Sequence, residues 1–585
     1  MRERYLRIME RALEAYTPEH IREYLDSVRE KGLTEHGFPR LTANIGILMA
    51  HGKRTELLPV FLEMMDLCCF QMPGRHAAND FSVKEICFAL LELEQTSLIP
   101  PERMQAWKED LRRLDAWQDY DCIAPTPDTR VGNWAAYGAA SEYLREVTGL
   151  CDASAFLDRQ IPSQLLSVEE NGMYRDPNDP ILYDLATRCQ FAVLLHFGYS
   201  GQYRDALDDC LKKSGMLTLQ MQSVTGEMAF GGRSNQYLFN EAYLASACAY
   251  EAARYAGEGN MTLAGQFQDA AAMAADSILL WLDRLEGKRH IKNRYPMDSS
   301  YGCEGYGYFD KYMISLASFI YLAYLFTAET VLPVPCPARC GGFTARTSVH
   351  FHKFAANCGG YFLEWDTAAD PHYDATGLGR IHKAGAPSEL MLSVPFAEKP
   401  VYRIRDGKPA DHFCGQTFAD PDRNPGQLAM CGGVLQEGEW RFACEEGDIR
   451  DIRSISESDT QATVELVNSF GQTERYDITA DGIEITVTGE GRIAYALPLF
   501  AHNGQDGSFL EYTDGLCEAV VCYDGWLYRI TATDTLTDTK QDYRNRNGTY
   551  TLFLAEGTDT LKIRLCCEKD TGVREAEYAE HFTGH

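Results

Sequence analysis

The chain has 585 residues, 45% of them hydrophobic and 24% charged, a composition of folded domains and not of a disordered polymer. Its 85 acidic side chains outnumber 55 basic ones, and the resulting net charge of −30 repels phosphate backbones, which argues against a nucleic-acid partner. It leaves room for an anionic sugar, because a pocket can be locally cationic inside an acidic field.

The N-terminus, Met1-Arg2-Glu3-Arg4, leads straight into a helical pattern without an apolar signal core. The longest apolar stretch, Met313 to Ala328, contains two serines and falls short of a span of about 20 residues. The expectation is a cytoplasmic protein with no membrane partner. Nineteen scattered cysteines read as reduced thiols. Apart from the adjacent Cys68-Cys69 and Cys566-Cys567, Cys336 and Cys340 are the one close pair, with no second pair at zinc-site spacing, so neither a metal nor a cofactor is expected.

Taken in order, residues 1–330 predict helix after helix. Thr17-Pro18 is a start signal, and Val83, Ile86, Ala89, Leu90 and Leu93 recur three and four apart. Similar stretches run over Glu56–Met72, Pro101–Leu114, Trp134–Val147, Tyr183–Phe197, Tyr203–Met221, Asn235–Tyr255, Met261–Leu285 and Tyr308–Ala328. About a dozen helices on short turns fit six stacked hairpins closing into an (α/α)6 toroid. Three prolines in Val331–Pro337 mark residues 331–340 as a linker. From 341 to 585 alternating β-branched and aromatic residues predict an antiparallel β-sandwich, with hairpin turns at Asp481-Gly482 and Asp524-Gly525.

Candidate chemistry sits where loops meet toroid helices. Asn79 and Asp80 open one helix, although Asp80 also reads as its cap. Asn133 and Trp134 open another, an amide for sugar hydroxyls beside an indole on which a ring can stack; a packed Trp134 is the alternative. Tyr174 and Asp176 lie in a long polar connection. Arg188 follows, four residues after Asp184 on one helix face, where the two also read as an ion pair. Gly231-Gly232-Arg233-Ser234-Asn235-Gln236 places an Arg where a fork can clamp a carboxylate. Tyr301-Gly-Cys-Glu304-Gly-Tyr306-Gly-Tyr308 mixes an acid, phenols and glycines. His350 and His352 are expected on one face of a strand, with His352 or His372 reaching across an interdomain cleft.

A toroid carrying Gly132-Asn133-Trp134 early, Tyr301-x-x-Glu304-Gly305-x-x-Tyr308 before its last helix, and a following β-sandwich resembles the heparinase II/III-like superfamily. Within it, Asn171–Arg188, Gly231–Gln236 and His352-Lys353 are most similar to family 154 glycoside hydrolases, which include β-glucuronidases. The resemblance implies a uronic-acid-containing oligosaccharide as substrate, Asn133 as carboxylate holder, and Tyr301 or Tyr306 as proton donor. Related lyases often place a His beside the Asn, where this chain has Trp134. That departure shifts the expectation from β-elimination to hydrolysis, with Glu304 and either Asp80 or Glu241 as the two carboxyl groups. The expected activity is therefore exo-acting removal of β-linked glucuronic acid. A uronate polysaccharide lyase and a non-catalytic glycan-binding protein are the alternatives, and homo-oligomerisation is left open.

Overall fold

The structure is a computed structural model that describes residues 1–74, 78–295, 309–398 and 424–571, with the backbone alone at 309–310. These fall into two compact units. One holds residues 1–219, 237–290 and 309–334; the other holds 220–236, 291–295 and 335–571.

The first unit is helical: α1 (Arg2–Ala12), α2 (Pro18–Lys31), α3 (Gly37–Ala50), α4 (Leu58–Gln71), α5 (Asn79–Glu94), α6 (Pro101–Leu111), α7 (Ala116–Asp119), α8 (Trp134–Val147), α9 (Ser154–Leu165), α10 (Ile181–His196), α11 (Arg204–Met221), α12 (Leu238–Gly257), α13 (Met261–Arg284) and α14 (Phe309–Phe326). Helices α3, α5, α8, α10, α12 and α14 each pack on the next, and α14 returns to α3, so six inner helices close a ring. Helices α1, α4, α6, α9, α11 and α13 precede them one by one as the outer layer, which is an (α/α)6 toroid. Burial follows the layers. Outer α1 buries only Tyr5, Leu6, Ile8, Met9 and Ala12, whereas inner α3 is buried from Gly37 through Met49. Ala242, Ala245 and Ala249 of α12 are fully buried, as are Ala270, Ala271 and Ala274 of α13, and small side chains let these two helices approach closely.

Alternating outer and inner helices makes the inner six parallel, so their N-termini share one end. Contacts between first-turn residues mark that end. His36 at the start of α3 meets Phe81 of α5, Phe81 meets Trp134 of α8, and Tyr237 before α12 stacks on Tyr312 of α14.

The second unit is β. Strands β1 (Phe343–Arg346), β2 (Lys353–Cys358), β3 (Tyr361–Asp366) and β4 (Gly377–Lys383) form a four-stranded antiparallel sheet in sequence order. The other eleven strands form a larger antiparallel sheet. Its long β10 (Gly482–His502) and β15 (Thr549–Lys569) pair along most of their length, and β9 (Thr473–Thr479) flanks β10. The core lies between the sheets, where Trp365 of β3 packs edge-on to Tyr476 of β9 at 5.0 Å. Asp524 and Gly525, with φ of 48° and 72°, make the left-handed two-residue turn that a tight hairpin requires.

The histidine pair corrects the expectation. Residues 349–351 form a turn, β2 starts only at Lys353, and His352 has a left-handed φ of 44°, so the two imidazoles do not share a strand face. No disulfide joins the described cysteines. Among the described residues no helix is long and apolar enough to cross a membrane, and no group of three His, Cys, Asp or Glu is disposed to hold a metal.

Candidate functional site

The N-terminal end of the inner helices gathers most of the sequence candidates of the first unit. Asn133 is 4% exposed; its backbone N–H donates to Asp176 Oδ1 at 2.9 Å, while its side-chain amide makes no hydrogen bond among the described residues. Next to it Trp134 is 41% exposed and braced edge-on by Phe81 at 4.6 Å. A buried amide beside a half-exposed indole is an arrangement suited to a sugar ring. The six surrounding helix N-termini add partial positive charge, which favours an anionic group.

Other candidates have structural partners. Asn79 Nδ2 donates to the carbonyls of Met72 and Asp119. Asp80 lies in the first turn of α5, whose cap position is Ala78, and its two oxygens accept from the N–H groups of Asp121 (2.7 Å) and Cys122 (3.1 Å). Burial pushes this carboxyl up to about 6 against those bonds. Tyr174 is buried, its hydroxyl donating to Gln164 at 2.9 Å and its N–H to Asp184 at 2.7 Å. Arg188 grips Asp184 with two prongs, at 2.8 and 2.6 Å, and also reaches Thr218. Glu241 is fully buried in the first turn of α12. Tyr301, Glu304 and Tyr306 lie outside the described residues.

Beneath the rim the bore carries residues that the sequence reading missed. Arg40 of α3 lies over the rings of Phe81 (5.2 Å) and Phe319 (5.0 Å). Phe81 meets Tyr137 of α8 at 4.6 Å, the hydroxyls of Tyr137 and Tyr243 hydrogen-bond, and Tyr243 of α12 stacks on Phe319 of α14 at 4.2 Å. The five side chains thus form a closed plate across the bore. Arg40 Nε donates to Glu85 at 3.0 Å, and Lys84 reaches the same carboxylate at 3.2 Å. Burial pulls the Lys84 ammonium below the usual lysine range, with Glu85 opposing.

In the second unit the Arg233 loop and His352 occupy one corner. Asn235 Nδ2 closes the turn onto the carbonyls of Gly231 (2.7 Å) and Gly232 (2.6 Å), and its own carbonyl accepts from Arg546 at 2.6 Å. Gln236 accepts from Asn547 at 3.4 Å. Ser234 and Gln236 adopt left-handed φ values of 62° and 68°, strain of the kind that collects at functional loops. Arg233 itself is partly exposed. Upstream, Glu364 accepts from the Phe230 N–H, Arg380 joins Glu364 to Glu227, and Lys292 reaches Glu227 at 2.9 Å. All four charged groups are at most 3% exposed. Burial would raise the Glu227 carboxyl, but Lys292, His382 and Arg380 hold it well below the usual range.

Lys353 links this network to His352. Its ammonium lies over the Phe230 ring at 5.9 Å and binds Asp366 at 2.5 Å and Asp374. Asp366 in turn holds His352 Nδ1 at 2.5 Å. Burial works to raise the Asp366 carboxyl, yet Lys353 and His352 outweigh it and keep it at about 2. The imidazole is thereby oriented through Nδ1, which leaves Nε2 as its working nitrogen. One signal for these missed groups was present: charges inside apolar runs, such as Arg40 in Phe38–Met49 and Glu364 in Tyr361–Trp365, must find partners in the fold.

Neither a scan against protein-family models nor a search of characterised proteins gives a match. Solved structures do. Heparan sulfate lyase HepC from Pedobacter heparinus aligns with 87% of this chain and 75% of its own at 10% identity and a TM-score of 0.31. Chondroitinase AC lyase aligns with 99% and 84% at 9% identity and a TM-score of 0.41. A family 88 glycosyl hydrolase from Bacteroides vulgatus aligns with 55% and 99% at 11% identity and a TM-score of 0.35.

Proposed function

We propose that the chain is an exo-acting glycoside hydrolase that releases β-linked glucuronic acid from oligosaccharides. The observation that carries this reading is the toroid end itself. A half-exposed Trp134 and an unengaged Asn133 amide stand above a bore that the plate from Arg40 to Tyr243 crosses. A bore blocked by side chains in this way suits the terminus of a glycan and not a polymer threading through. Glu304 is the proposed acid, and Arg233 is the expected carboxylate clamp, its loop shaped by Asn235 and Gln236. Asp80, both of whose oxygens accept from backbone N–H groups, or Glu241 is the proposed second carboxyl.

One observation favours the lyase reading. A histidine oriented by an ionised aspartate, as His352 is by Asp366, suits removal of the proton beside a uronate carboxylate. Incubation with a chromogenic β-glucuronide and, separately, with an acidic polysaccharide decides between the two. Free glucuronic acid without unsaturated product supports hydrolysis, and an unsaturated uronate overturns it. Mutation gives a second test: Glu304→Gln is expected to abolish hydrolysis while binding survives, whereas a tyrosine-dependent lyase would suffer more from Tyr301→Phe.

A further inference from the structure

We propose that Arg40 reads the carboxylate of the bound sugar from the floor of the toroid recess. This assignment rests on the uronate reading above and gives the carboxylate to Arg40 in place of Arg233. Arg40 lies in the first turns of α3, so it sits about one helical turn below the rim set by His36 and Trp134. That depth matches a single inserted sugar ring.

Three observations converge on this side chain. The guanidinium is 3% exposed, and its carbon lies 5.2 Å from the Phe81 ring centre and 5.0 Å from that of Phe319. Nε and Nη1 are engaged by Glu85, Ser315 and His36, whereas among the described residues Nη2 has no hydrogen-bond partner. The cluster is also unbalanced in charge, since two buried cations, Arg40 and Lys84, face the single carboxylate of Glu85. A buried donor without an acceptor and a surplus positive charge are costly. An incoming carboxylate supplies both the acceptor and the missing negative charge. A neutral sugar supplies only the first, and so the recess discriminates acid from alcohol at C6. Elsewhere in this unit Arg188 is matched by Asp184 and Arg145 by Glu142.

The test compares wild type with Arg40→Met, Arg40→Lys and Arg233→Ala on chromogenic β-glucuronide and β-glucoside, together with calorimetric titration by free glucuronate and by glucose. Arg40→Met is expected to raise KM for the glucuronide on the order of 10- to 100-fold while changing the glucoside little. Its affinity for glucuronate should fall to that for glucose. Arg40→Lys keeps the charge and should retain part of the acid preference, which covers the case in which the methionine variant does not fold. Equal losses on both sugars, or an acid preference abolished by Arg233→Ala but untouched by either Arg40 variant, would overturn the assignment. So would a wild type that binds glucuronate no better than glucose. A wild type that prefers glucuronate but hydrolyses no glucuronide defeats the hydrolase reading and leaves Arg40 standing if the Arg40 variants lose that preference.

Discussion

The backbone N–H of Phe230 donates to the Glu364 carboxylate at 3.0 Å, so a strand residue of the four-stranded sheet anchors the segment that carries Arg233. Arg380 completes the anchor by donating to the Met228 carbonyl at 2.8 Å and to Glu364 at 3.1 Å. Burial holds the Glu364 carboxyl above its usual range, with Arg380 and Lys353 opposing, so this group tolerates little loss of its partners. Arg380→Met is therefore expected to destabilise the protein by about 3–5 kcal/mol, the usual consequence of leaving a buried charge without its partner. Chemical denaturation checks it, and a change below about 1 kcal/mol would show that the network is not holding this segment.

On the lyase reading, Asp366 would act on the chemistry through His352. Asp366→Asn removes the charge that orients the imidazole, and kcat should fall by about 10²–10⁴ with KM little changed. Stability supplies an independent readout. The folded carboxyl at about 2 lies below its ordinary 3.8, so the group contributes stability above pH ~4 that is lost as pH falls through about 2. The variant should lack that acid limb. A variant with wild-type kcat would exclude His352 from proton transfer.

Asp80 has the opposite sign. Its folded carboxyl is raised from 3.8 to about 6, so between those values the folded state binds more protons than the unfolded one. Stability should fall as pH rises through that window, by about 3 kcal/mol at most. Asp80→Asn should flatten this slope, and one amide oxygen serving the Asp121 and Cys122 N–H groups should lower stability by about 1 kcal/mol overall. Parallel denaturation profiles of the two proteins from pH 4 to pH 7 would contradict the assignment.

Local pattern explains what was legible in the sequence. Helical periodicity and the change of texture after Glu329 reveal the toroid and the sheets, because apolar spacing and turn residues act over a few positions. The Asp184–Arg188 pair was legible for the same reason, being four residues apart on one helix. Arg40 was not, since its partners Glu85 and Ser315 lie 45 and 275 positions away and meet it only when the ring closes. His350 and His352 misled because a two-residue spacing fits a strand equally well. Only the left-handed backbone at His352, which is a tertiary outcome, turns the chain there.

At the toroid end, exposure divides the proposed binding residue from those with structural partners, and this yields a paired prediction. Trp134 is 41% exposed and braces no buried neighbour beyond the edge of Phe81, so Trp134→Ala should leave stability within about 0.5 kcal/mol of wild type. Loss of its stacking face should raise KM for a glycoside by about 10-fold or more, equivalent to about 1.4 kcal/mol. Tyr174 is the converse. It is fully buried, and its hydroxyl bonds Gln164, so Tyr174→Phe should cost about 1 kcal/mol of stability while kinetics hold. Arg188→Met should cost more, about 3–5 kcal/mol, because it strands Asp184. Measuring unfolding and KM on the three variants side by side tests the division. A Trp134→Ala protein with normal KM, or a Tyr174→Phe protein with normal stability and impaired binding, would reverse the roles given to these two side chains.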